Sequence, residues 1–191
     1  MPVLETERLT IRPLEHDDLD ACHALFMAIG WFDPAMPEAE ILARRRSWLI
    51  WAVANTRELA RLNQPPLGER AVIERASGVF VGLVGLVPST VPLGQLPSFG
   101  SVRGARHELR LGMFWAVVPE RQGKGIASEA AAAMLAYAID HVHVDRVVAT
   151  TENDNIASQA VMRRIGMTVE RNPYPDPFYF QTMGWIDAAR A

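Results

Sequence analysis

The chain has 191 residues, 49% of them hydrophobic and 21% charged, with a formal net charge of -3. That length suits one domain with a sizeable core, and the slightly acidic balance argues against a nucleic-acid binder, which is ordinarily basic. The single cysteine, Cys22, excludes an internal disulfide framework and reads as a buried thiol in a reducing compartment. No stretch reaches the roughly 18 apolar residues of a membrane span. Met1 to Thr10 is charged and has no apolar segment, so no secretory leader is expected and the expected location is the cytoplasm.

Leu4 to Pro13 alternates around Leu9 and Ile11 and predicts a first strand, stopped by Pro13. Acidic Asp17 and Asp18 open a helix through Leu19, Cys22, Phe26 and Ile29, which Gly30 ends. An aromatic loop with Trp31 and Phe32 follows, then a helix from Glu38 to about Leu62 whose Arg44-Arg45-Arg46 run reads as a solvated face. Ala71–Glu74 and Val79–Val87 read as a hairpin turning at Ser77-Gly78. Residues 89–105 hold Pro92, Gly94, Pro97, Gly100 and Gly104 and are expected to be a long flexible loop.

Glu108–Val118 predicts a strand, Ile126 to about His141 an alanine-rich helix, and Asp145–Thr151 a short strand. Asn153-Asp154-Asn155 offers caps for a helix over Ile156–Ile165, which Gly166 stops. Met167–Glu170 and Phe178–Trp185 read as two last strands. There are no repeats and no evident boundary, so one domain over 1–191 is expected, with a mixed α/β sheet.

Between the strand ending at Val118 and the helix from Ile126 lies Pro119-Glu120-Arg121-Gln122-Gly123-Lys124-Gly125. Pro119 ends the ladder, and the two glycines let a tight loop turn several N–H groups toward the positive end of the next helix, a site for an anionic phosphate. Arg121 and Lys124 add mobile charge. A P-loop is excluded because Val118 stands where its first glycine belongs and Gly125, not a hydroxyl residue, follows Lys124. A dinucleotide fingerprint is excluded because position 128 is serine.

What remains, Gln122-x-x-Gly125-x-Ala127, resembles the pyrophosphate loop of the GCN5-related N-acetyltransferase (GNAT) family. Two further blocks agree in order and spacing with its RimJ/RimL-like branch. Leu4-x-Thr6-x-Arg8-Leu9-x-Ile11-Arg12-Pro13 looks like that branch's first strand, and Asn155-x-x-Ser158-x-x-Val161-Met162-x-x-x-Gly166 its late helix. The resemblance implies a mostly antiparallel mixed sheet of about seven strands, the fourth and fifth splayed apart, flanked by about four helices. It also implies transfer of acetyl from acetyl-CoA to a primary amine, either a protein N-terminus or a small molecule. No metal, nucleic acid or membrane is implied, and a homodimer is admitted by analogy with relatives.

By the same resemblance, pantetheine pairs with the backbone of Ala116, Val117 and Val118, and amides from Gln122 through Gly123, Lys124, Gly125, Ile126 and Ala127 hold the pyrophosphate. Arg121 and Lys124 reach a phosphate oxygen. Asn155 bonds the pantetheine arm, caps its helix, or does both. The position of the family's acid tyrosine is Met162, which has no proton to give, and the family's strand glutamate is replaced by Gly112, where a strand irregularity is expected. Ser158 either bonds the leaving sulfur or caps its own helix turn. Glu108, on the same strand face as Gly112 by the two-residue period, either accepts the amine proton or is a solvated strand-end carboxylate. Trp31, Phe32, Tyr174, Phe178 and Tyr179 line an acceptor channel or belong to the core. The alternative function is a non-catalytic acyl-CoA binding or sensing module.

Overall fold

The computed structural model describes residues 2–65 and 67–188. In chain order the elements are β1 (Leu4–Glu5), β2 (Leu9–Pro13), α1 (Leu19–Ala28), α2 (Glu38–Arg61), β3 (Gly68–Glu74), β4 (Val79–Val91), β5 (Glu108–Val117), α3 (Ile126–Asp140), β6 (Arg146–Thr151), α4 (Ile156–Arg164), β7 (Thr168–Arg171) and β8 (Thr182–Asp187). The strands form an eight-stranded mixed sheet in the order β1-β2-β3-β4-β5-β6-β8-β7. The chain divides into two compact units, and β4, β5 and α3 each continue from one into the other.

The first unit takes the described residues up to Gly85 together with Phe114–Ala133. The strand expected over Leu4–Pro13 is two strands, because the Thr6 N–H donates to the Leu9 carbonyl at 2.9 Å and turns the chain back on itself. Leu4 then lies opposite Ile11, and β2 continues antiparallel onto β3 with Ile11 opposite Val72. Apolar positions three and four apart give α1 and α2 one buried stripe each, Cys22, Leu25 and Phe26 on one and Leu49, Ala52 and Val53 on the other. Burial pushes the Cys22 thiol up to about 12, so it is a core residue and not a nucleophile. Gly82 is dictated by close backbone approach: a Cβ there would sit 2.2 Å from the Ala116 carbonyl oxygen.

The second unit takes Leu86–Met113 and the described residues from Met134 onward. β5 and β6 pair in parallel at Leu111↔Val147 and Gly112↔Val148, and β8 lies antiparallel between β6 and β7. The stretch 89–105 differs from the loop read in the sequence. β4 runs on to Val91, and short 3-10 turns occupy Leu93–Gln95 and Pro97–Phe99. Its prolines and glycines mark turns, while Leu93 and Leu96 are buried beside Val148, Phe180, Met183 and Trp185. The last strand begins at Thr182, not Phe178. Three prolines without N–H groups precede it, and the Phe180 N–H turns back to the Pro177 carbonyl at 2.9 Å, which keeps Phe178–Gln181 out of the ladder. Phe180 is buried by that turn, whereas Phe178 is 80% exposed.

Candidate active site

The glycine loop lies in the first unit. β5 ends where the Val118 N–H donates to the Val81 carbonyl at 3.0 Å, and Pro119–Arg121 makes one 3-10 turn. Gly123 and Gly125 then take φ of 71° and 80°, the left-handed region that side chains other than glycine rarely adopt, and α3 starts at Ile126. Among the described residues, no backbone carbonyl or side chain accepts from the N–H groups of Gly123, Lys124, Gly125, Ile126 or Ala127. These are five successive donors without a protein partner, the last two opening a helix.

The Gln122 amide is not part of that fan. It donates to the Pro119 carbonyl at 3.2 Å, and its side chain holds the Val117 carbonyl at 2.9 Å. The expected cationic side chains are also engaged. Arg121 meets Glu74 with both Nε and Nη2 at 3.2 Å, and Lys124 Nζ donates to the Glu120 carbonyl at 2.9 Å. The loop thus offers backbone, with its side chains bracing the turn.

A clamp that the residue pattern carried without a stated role ties this loop to β1 and β2. Glu129, in the first turn of α3, accepts from the Arg8 N–H at 2.9 Å, from Arg8 Nε at 2.6 Å and from Thr6 Oγ1 at 2.5 Å. Arg8 Nη1 also donates to the Lys124 carbonyl at 2.9 Å, drawing that oxygen away from the amide face. Burial tends to raise the Glu129 pKa, but the bonds from Thr6 and Arg8 outweigh it and hold the carboxyl below its usual range. Thr6-x-Arg8 sits inside one of the three blocks that carry the resemblance, and Glu129 lies two residues past another.

In the second unit, Asn155 is the N-cap of α4, its Oδ1 accepting the Ser158 N–H at 3.0 Å. That bond removes the need for Ser158 to cap itself, and among the described residues its hydroxyl makes no hydrogen bond with another side chain or the backbone. Met162 is fully buried, and its sulfur would lie 3.0 Å from a Cβ on Gly184, so it is core. Among the described residues no cluster of three or more His, Cys, Asp or Glu side chains is arranged to hold a metal, and no helix is long and apolar enough to cross a membrane.

The family model for the acetyltransferase (GNAT) domain matches residues 8–168, most of the chain, including the glycine loop and α4. The chain belongs to this family. It is 45% identical over 56 residues to the uncharacterized N-acetyltransferase YnaD of Bacillus subtilis, a match spanning 29% of this chain and 33% of that protein. The ribosomal-protein-S5-alanine acetyltransferase of Vibrio fischeri is 15% identical with a TM-score of 0.67, covering 98% of this chain and 97% of that one. RimL, a ribosomal L7/L12 alpha-N-protein acetyltransferase solved in complex with coenzyme A, is 16% identical with a TM-score of 0.61, covering 97% of each chain. These structures share the fold.

Two of the expectations for this chain fall on β5. Glu108 is bonded by the Arg110 guanidinium two residues along the same strand face, so the carboxylate nominated as a base already has a cation on it. Gly112, opposite Val148, is the last residue of β5 paired with β6, and a Cβ there would lie 2.7 Å from that of Ser89. The expected acceptor-channel aromatics fall into two groups. In the second unit His107 Nε2 and Tyr179 Oη are 3.0 Å apart, and Tyr174 bonds the Ser101 carbonyl. In the first unit the Trp31 ring is sandwiched between Phe26 (centroids 5.4 Å apart) and Phe114 (5.3 Å), while Phe32 joins neither stack.

Proposed function

We propose that the protein is an acetyl-CoA-dependent N-acetyltransferase that moves the acetyl group to a primary amine by direct attack in a ternary complex. The observation that carries the reading is the run of five amides, Gly123 to Ala127, left without protein acceptors at the start of α3. A diphosphate satisfies them, and the acyl carrier of the family has one. Ala116, Val117 and Val118 are the backbone nominated for the pantetheine arm. Of their polar groups, the Val118 N–H and the Val117 carbonyl are already bonded within the unit.

The chemistry asks for three things. An alkylammonium, with a pKa near ~10, must lose a proton before its nitrogen attacks the thioester carbon. The carbonyl oxygen gains charge as the C–N bond forms, and a backbone N–H stabilises it. The C–S bond then breaks, and a thiolate whose conjugate acid has a pKa near ~8.5 leaves without needing a strong acid. That last point makes Met162, where relatives place a tyrosine, compatible with turnover. Ser158, whose hydroxyl is not spent on its own helix, is assigned to the departing sulfur. Glu108 accepts the amine proton only after exchanging Arg110 for water or substrate.

The same two observations, a buried Met162 and an occupied Glu108, favour the alternative of a non-catalytic acyl-CoA sensor. A thiol-release assay with acetyl-CoA against N-terminal peptides and small amines tests the choice. Turnover with any amine supports the enzyme. Thermal stabilisation by CoA with no thiol release across the panel supports the sensor. Gly125→Val, with a branched side chain forced to positive φ, should abolish CoA binding in a folded protein, and unchanged affinity would remove the loop assignment.

A further inference from the structure

The geometry points to Arg45 as the carboxylate-binding residue of the acceptor subsite, so that the acceptor is an amine that also carries a carboxylate. The inference rests on the transferase reading above. In the Arg44-Arg45-Arg46 run, the outer two behave as a solvated face: Arg44 pairs with Glu40 at 2.9 Å one helical turn away, and Arg46 is exposed. Arg45 does not. It lies four residues after Ile41 and four before Leu49, both buried, and so faces inward with them. Its Cζ sits 3.6 Å above the centre of the Phe26 ring and 5.5 Å from that of Trp48.

Among the described residues Arg45 has no carboxylate partner. Its one hydrogen bond runs from Nη2 to the Trp31 carbonyl at 3.5 Å, and its Nε is buried without an acceptor. Burial pulls its pKa below the ordinary value. Arg45 is half-buried, and withdrawing part of a cation from water without an anion beside it costs free energy that the ring beneath it offsets only in part. Because Phe26 covers the face of the guanidinium, the in-plane N–H groups are the ones left to meet a ligand, the geometry that takes a carboxylate edge-on.

The position connects this arginine to the chemistry within the first unit alone. Phe26 stacks on Trp31, and Trp31 stacks on Phe114 with the rings 5° from parallel. Phe114 is two residues before Ala116 on β5, the strand nominated to hold the acyl carrier. Trp31 is 58% exposed, leaving a ring edge for the apolar part of an acceptor. A polyamine suits this place badly, since it would bring more positive charge to an unpaired guanidinium. A free amino acid and an acidic residue near a polypeptide N-terminus both supply the required group.

The test compares matched acceptors by kcat/KM in the thiol-release assay: phenylalanine against phenylalaninamide, and an Ala-Asp against an Ala-Asn peptide, both C-terminally amidated. The amide of phenylalanine is the less basic amine and would otherwise have the advantage. We expect the carboxylate member of one pair to be favoured at least ~10-fold, the responding pair identifying the source, and Arg45→Gln to bring that ratio near one while acetyl-CoA affinity holds. Equal use of acid and amide in both pairs, or an intact preference in Arg45→Gln, overturns the assignment. If that variant does not fold, Trp31→Ala replaces it, with the KM for the favoured acceptor expected to rise and an unchanged KM counting against the subsite. Absence of thiol release with every amine defeats the transferase reading instead. Calorimetric titration of N-acetylphenylalanine and its amide then decides Arg45 by itself: tighter binding of the acid, lost in Arg45→Gln, sustains it, and no difference ends it.

Discussion

The chain contains two helix starts that face the same physical problem and solve it oppositely. Both α3 and α4 begin with N–H groups that have no partner inside the helix. At α4 the protein supplies the acceptor itself, through Asn155 Oδ1 on the Ser158 N–H. At α3 the preceding residue is Gly125, which has no side chain to offer, and the donors from Gly123 to Ala127 stay open. A helix end capped by its own chain offers that amide to no ligand. One left open, with its neighbours braced by Arg8, Glu129, Arg121 and Glu74, keeps its donors available, which is the basis of the proposed diphosphate site.

The sharpest way to break this contrast is to make α3 resemble α4. Gly125→Asp places a carboxylate at the head of α3, in competition with a diphosphate. CoA affinity should fall about 100-fold by calorimetry, with the melting temperature lowered by the positive φ that residue 125 must keep. Unaltered affinity would mean the two helix starts do not differ in purpose. Next in size, Ser158→Ala should lower kcat about 10-fold while leaving the CoA dissociation constant within error. A turnover equal to the parent's would reduce Ser158 to a place-holder in the capped turn.

Smaller effects come from the supports. Glu129→Gln should weaken CoA binding several-fold and cost about 1 kcal/mol of stability, a charge-assisted bond discounted for the exposure of Arg8. Glu129 has a lowered pKa in the fold, so its contribution is complete above the ordinary carboxylate range near ~4.3 and is lost as pH falls through the lower folded value. The parent should therefore lose stability toward acid more steeply than Glu129→Gln, as followed by melting temperature against pH. Asn155→Asp is the finest discriminator. Aspartate keeps the cap but removes the amide N–H, so a stable protein with a few-fold higher KM for acetyl-CoA indicates a contact to the pantetheine arm. No change in either quantity leaves Asn155 as a cap alone.

Legibility in the sequence followed the kind of group that acts. Backbone geometry writes itself as proline and glycine spacing, which is why Pro119 marked the end of β5 and Gly123 and Gly125 the turn before α3. Side-chain partnerships leave no such mark, whether near, as Arg110 on Glu108, or distant, as Arg121 on Glu74. Phe178-Tyr179-Phe180 imitated a strand, since aromatic residues favour one, until three prolines denied it a ladder. The inward Arg45 was hidden by its two charged neighbours, yet its spacing from Ile41 and Leu49 is that of a buried helix position. Helical period, weighed above charge, would have singled it out.

The buried Cys22 has a practical outcome. With a thiol pushed up to about 12, no surface exposed at its residue, and no other cysteine in the chain, the folded protein has almost no thiolate to present to a disulfide reagent. Colour developed in such an assay then reports free coenzyme A alone, and a slow baseline drift becomes a direct gauge of unfolding in any variant under study.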